Sequence, residues 1–154
     1  MSRNKCLRAV FGTSLSNTVV GNGNVVRSPS AELYRHGASV RLTAVPQAGS
    51  YFALWGNAAT GTNNPLTLAI TNPNLTVTAA FAPLPANQHA LVVHPDGFGT
   101  VTSSPRGNRF TNGTNVTLRA VPDAGQEFLG WSVDANCTNN PVVVSMTQCS
   151  PARS

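Results

Sequence analysis

Acid–base, nucleophilic and metal chemistry in this chain would fall chiefly to three histidines, three cysteines and five carboxylates among 154 residues. Their spacing supports none of the three. His36, His89 and His94 have no partner at the spacing of a His-Glu-x-x-His helix, and neither a Gly-x-Ser-x-Gly elbow nor a phosphate-cradling glycine loop is present. Glu32, Asp96, Asp123, Glu127 and Asp134 include no pair spaced as cooperating acids. The run Asp134-x-Asn136-x-Thr138-x-Asn140 alternates oxygen ligands as a calcium loop does. It lacks the glycine at the sixth place, and its twelfth place is Ser145 rather than an acid, so it reads as an ordinary polar loop. Cys6, Cys137 and Cys149 form no Cys-x-x-Cys pair. A strand between Cys137 and Cys149 would hold them roughly 20 Å apart, against the about 7 Å Cα limit of a disulfide, so these two are expected not to bond. The expectation is a protein without catalytic, cofactor-binding or metal residues.

Trp55 and Trp131 offer a different chemistry, the stacking of sugar rings. Each follows a phenylalanine, Phe52 or Phe128, by the same interval, which favours core anchors over exposed platforms. That shared interval belongs to a longer pattern. Gly21, Gly23, Val25, Pro29, Gly37, Val40, Leu42, Ala44, Val45, Pro46, Gly49, Phe52, Trp55 and Pro65 each recur at a constant offset (131 − 55 = 76). Repetition at such a period means tandem modules. What recurs is glycine, proline, aliphatic and aromatic; no His, Asp, Glu, Lys or Cys does. The repeated part is scaffold.

Alternation places the strands. Gly21-Asn22-Gly23 reads as a hairpin turn into a strand over 24–27. Val40, Leu42 and Ala44 face one way until Pro46, which cannot donate to a ladder. Ala48-Gly49 turns the chain into 51–55, where the odd spacing of Phe52 and Trp55 predicts a bulge that brings both rings inward. After a polar loop over 56–64, Leu66, Leu68 and Ile70 share a face; then Leu75, Val77, Ala79 and Phe81 alternate in a closing strand. The second copy offers Val101, Val116, Leu118, Ala120, Phe128, Trp131, Val142, Val144 and Met146 as core candidates, and nothing shows sustained helical periodicity. Leu7, Ala9 and Phe11 match the pattern of Val77, Ala79 and Phe81, so the chain reads as opening on the last strand of a preceding copy and stopping before the second copy's own.

Composition narrows the function classes. Charged residues make up 10%, and the net charge of +5 comes from basics scattered singly, which argues against a nucleic-acid interface. No apolar run of about 20 residues could span a membrane, and the N-terminus has no apolar segment of a signal peptide. Modules of about 70 residues are marginal alone, so neighbours are expected to support one another.

The signature Gly37-x-x-Val40-x-Leu42-Thr43-Ala44-x-Pro46-x-x-Gly49-x-x-Phe52-x-x-Trp55, its copy over 113–131 with Phe128-Leu129-Gly130-Trp131, and Val77-x-Ala79-x-Phe81 resemble the divergent internalin-type B-repeat family of bacterial repeat domains. Leu54 departs from the glycine usual before the tryptophan. The resemblance implies an all-β, β-grasp-like fold in two tandem modules, the second lacking its closing strand. It also implies an extracellular or cell-surface setting in a longer parent, neighbouring repeats as partners, and a role as spacer, stalk or adhesive scaffold. It transfers no catalytic residue. The boundaries read as 1–12 for a closing strand left from a preceding repeat, 13–83 for the first module, 84–90 for a linker and 91–154 for the second. The structural core is assigned to Val40, Leu42, Ala44, Phe52, Trp55, Leu68, Val77, Phe81, Val116, Leu118, Ala120, Phe128, Trp131 and Val144. Two further expectations are a glycan- or host-protein-binding role for the loops after Trp55 and Trp131, and self-association by exchange of the N-terminal strand.

Overall fold

The computed structural model describes residues 3–132 and 138–147. Cys137, Cys149 and the residues Asp134 and Asn136 of the calcium-like run lie outside them. Among the described residues every regular element is a strand. The first unit has six: β1 Leu15–Val20, β2 Gly23–Ser28, β3 Ser39–Pro46, β4 Ser50–Asn57, β5 Leu66–Ala69 and β6 Leu75–Pro83. They form two three-stranded sheets, ordered β1-β6-β4 and β2-β3-β5. The core lies between these layers. Leu15, Phe52, Trp55, Val77, Ala79 and Phe81 from the first sheet meet Val40, Leu42 and Ala44 from the second, joined by Tyr34 and Ile70.

Within the first sheet β6 is central. It runs parallel to β1, from Leu15 opposite Leu75 to Val20 opposite Ala80, and antiparallel to β4. Its period-2 alternation buries Val77, Ala79 and Phe81 on one face. In β4 the register shifts between Phe52 and Leu54. This is the bulge that the odd spacing of the two aromatics predicts: it turns both rings inward, with centroids 4.9 Å apart, and leaves Leu54 at the surface.

The Gly21-Asn22-Gly23 turn is not the hairpin connection its sequence suggests. The strands it joins belong to different sheets, because β1 already pairs along its length with β6. The turn is a corner between layers. Its glycines are needed for space as well as for conformation: Gly21 has φ 87°, and a Cβ at Gly23 would lie 2.5 Å from the Phe81 ring.

The second unit repeats one layer. Its strands are β7 Gln88–Ala90, β8 Gly99–Ser104, β9 Arg109–Thr111, β10 Thr114–Pro122 and β11 Val142–Met146. The sheet β8-β10-β11 is the counterpart of β2-β3-β5, and β7 pairs with β9. The four cis prolyl bonds, before Pro29, Pro65, Pro105 and Pro141, also fall at equivalent positions. Among the described residues the other layer has no paired counterpart. Residues 91–96, which match β1, and 126–132, which match β4, carry no ladder pairing. The positions matching β6 begin at residue 151, outside the described residues. In the first unit β6 is the shared neighbour of both flanking strands, and a strand without a ladder partner has no reason to stay extended.

At two of the expected boundaries the structure adds local detail. The stretch 84–90 is not linker throughout, since Gln88–Ala90 pairs with β9. Residues 3–12 form no strand, and each of them is exposed. Alternation gives a segment the shape of a strand but no partner, and the β6 place in the first unit is already filled.

Candidate functional site

Among the described residues, those with chemical potential stay apart. His36 is exposed, with Nε2 3.1 Å from the Thr71 carbonyl, and His89 Nε2 lies 3.1 Å from Asn112 Oδ1. His94 and Cys6 are exposed. Among the described residues no three His, Cys, Asp or Glu side chains come together as metal ligands would. Among the described residues no helix is long and apolar enough to cross a membrane.

The assigned core residues divide by unit. Val40, Leu42, Ala44, Phe52, Trp55, Val77 and Phe81 are buried in the first, while Leu68 is partly so. In the second, Val116 and Leu118 are buried, and Trp131 and Val144 only pack against them. Ala120 and Phe128 are likewise half-exposed. Sequence reading placed equal weight on both copies, because identical residues carry no record of whether their second layer is present.

The loops after the tryptophans are tied to the core by the tryptophans themselves. Trp55 Nε1 donates to the Asn63 carbonyl at 2.7 Å, and Trp131 Nε1 to the Asn139 carbonyl at 2.9 Å. The next residue in each copy is an asparagine that mimics a strand. Asn64 accepts from the Ala44 N–H at 2.9 Å and donates to its carbonyl at 2.7 Å. Asn140 does the same to Ala120 at 2.9 and 2.8 Å. One side-chain amide thus satisfies both backbone groups of a strand residue where the neighbouring strand has given way to a loop. This explains the repeated Asn-Pro, whose role was not legible from the sequence.

The structure's distinctive polar constellation lies between the units. Arg41, on the outward face of β3, reaches the 95–99 segment. Its Nη1 donates to the Gly97 carbonyl at 3.1 Å and more weakly to that of Pro95 at 3.5 Å, while Nη2 donates to the Gly99 carbonyl at 3.1 Å. From the other side Asn108 Nδ2 donates to the Thr62 carbonyl at 2.9 Å. The Arg109 guanidinium sits 4.4 Å above the Tyr51 ring, a cation–π contact. A planar guanidinium can serve several fixed carbonyls at once, which a lysine ammonium does less well. None of the four residues recurs: Thr117, Glu127, Glu32 and Leu33 occupy the positions equivalent to Arg41, Tyr51, Asn108 and Arg109. Sequence reading took the arginines as scattered surface charge. Their only sequence signal was this failure to repeat.

Arg41→Ala is expected to loosen the joint while leaving each unit folded. Unfolding free energies should change by less than about 1 kcal/mol, since the group is partly exposed. The range of distances between labels placed on β2 and β11 should broaden, and Arg41→Lys should restore it only in part. An unchanged distance distribution in Arg41→Ala would remove this residue from the joint.

Fold and junction together define a tandem-repeat architecture: a small all-β unit repeated in series, with side chains bracing one unit against the next. The family model of the divergent InlB B-repeat domain matches residues 13–85 and 89–150, and the chain belongs to that family. Such repeats are typical of bacterial surface or secreted proteins, and the family is not a known enzyme class. No curated protein and no solved structure gives a significant match.

Proposed function

We propose that the chain is a spacer in a bacterial surface or secreted protein, built to hold its length under tension. The observation that carries this reading is the parallel pairing of β1 with β6. Tension enters the first unit before Leu15 and leaves after Pro83. In a parallel pair these two pulls run in opposite directions along adjacent strands, so the six residue pairs from Leu15–Leu75 to Val20–Ala80 are sheared together. An antiparallel pair pulled from its open end would instead unzip one pair at a time. The braces at Arg41, Asn108 and Arg109 would add stiffness between units. Binding of glycans through the loops after Trp55 and Trp131 is less favoured, because the Trp55 ring is buried and both indole N–H groups already donate to loop carbonyls.

Single-molecule stretching tests the spacer reading with an internal control. The first unit should unfold at a clearly higher force than the second, whose described residues show no such sheared pair. If the first unit yields at the same force as the second, or at a lower one, tension-bearing is not what this fold does.

A further inference from the structure

The contacts that clasp the joint on the β4 side make definite demands on whatever stands opposite. The first unit offers the Thr62 and Phe52 carbonyls and the Tyr51 ring. Carbonyls only accept, so they require an N–H or O–H donor. The negative face of a tyrosine ring attracts a cation. Asn108 meets the first demand, with Nδ2 2.9 Å from the Thr62 carbonyl and 3.4 Å from that of Phe52. Arg109 meets the second, its guanidinium 4.4 Å from the ring centroid. The two answering residues are adjacent in sequence, Asn108 just before β9 and Arg109 as its first residue.

Arg41 makes a demand of another kind. Its acceptors are the main-chain carbonyls of Pro95, Gly97 and Gly99. They lie at a corner where Gly97 has φ 89°, and the matching corner of the first unit has φ 87° at Gly21. Any repeat that turns this corner in the same way offers the same carbonyls. Arg41 therefore positions a neighbour without telling one from another.

The first unit supplies the contrast. Glu32 and Leu33 stand at its places for Asn108 and Arg109, and both are exposed. A carboxylate at the Asn108 place would set an acceptor-only anion against two carbonyls. A leucine at the Arg109 place would bring no charge to the tyrosine ring.

We infer that the joint selects its neighbour. The β4 side of the first unit is a docking face for a repeat that carries an amide and then a guanidinium at the start of its β9-type strand. It rejects a repeat of the first unit's own kind. Attraction comes from the Asn108 and Arg109 positions, and rejection from the carboxylate that a residue like Glu32 would place there. Specificity of this sort is a difference of affinities built from both. The order of units is then written in a pair of positions outside the recurring scaffold. This holds whether or not the chain bears tension.

The full chain carries the test, with labels on β2 and β11 to measure the joint and circular dichroism to confirm folding. Asn108→Glu/Arg109→Leu gives the second unit the first unit's docking residues. It should lower the closed-to-open ratio of the joint by about tenfold or more. Asn108→Ala removes the donor without adding a charge, so it should open the joint less than Asn108→Glu. Tyr51→Glu should hold the joint while Arg109 is present, an ion pair replacing the ring contact, and lose it with Arg109→Leu. The mirror change Glu32→Asn/Leu33→Arg should leave the distances as they are. A parent-like distance distribution in Asn108→Glu/Arg109→Leu overturns the proposal. Equal opening by Asn108→Ala and Asn108→Glu also overturns it, since the joint would then favour a donor without rejecting an acid. The force at which the first unit unfolds is a separate measurement, and the spacer reading stands or falls on that alone.

Discussion

Ala79→Pro should abolish the cooperative unfolding of the first unit. Ala79 is fully buried at the centre of β6, opposite Val19 on one side and Trp55 on the other. Proline there removes a ladder donor and forces its ring between two neighbours, at a cost of about 3 kcal/mol or more. A unit of about 70 residues holds little in reserve beyond that. Because β6 is the shared partner of β1 and β4, the damage should reach beyond the substituted strand. Hydrogen exchange should find amide protection lost across Leu15–Val20 and Ser50–Asn57 together, with β8, β10 and β11 of the second unit unaffected. Protection surviving in β1 would mean that β6 is not the keystone of that sheet.

Trp55→Ala and Trp131→Ala, identical changes at equivalent positions, should differ widely in effect. Trp55 is buried, packs at a tilt against Phe52, and holds its loop through Nε1. Removing a buried tryptophan typically costs about 3–5 kcal/mol, enough to unfold much of the first unit at ambient temperature. Trp131 makes the same hydrogen bond but is half-exposed, so its loss should cost less than half as much. Urea titration followed by residue-resolved NMR intensities separates the two transitions. Equal costs would show that the second unit encloses its tryptophan as fully as the first.

The contrast between those two residues marks the limit of what the sequence discloses. Val77, Ala79 and Phe81 announce their strand by alternation, and Phe52 and Trp55 announce a bulge by their odd interval. Both are local patterns fixed by backbone geometry. The β1 strand was missed because its six residues bury only Leu15 fully and offer little alternation. Its pairing is set by a partner some sixty residues away, and no local rule encodes that. The Gly21–Gly23 turn looked like a hairpin for the same reason: turn chemistry specifies a reversal, not which sheet receives the chain. Arg41 was illegible because backbone carbonyls have no residue signature, so an arginine serving three of them resembles any other surface arginine. The half-exposure of Phe128, Trp131 and Ala120 was not foreseeable from their likeness to Phe52, Trp55 and Ala44, since burial belongs to the assembled layers rather than to the residue.

A filament assembled from interchangeable links with one repeated contact must coil, because every link adds the same small rotation. Thr117 in the place of Arg41 withdraws that constraint. Because the residues that brace this joint do not recur, its stiffness can change without touching the folded units on either side.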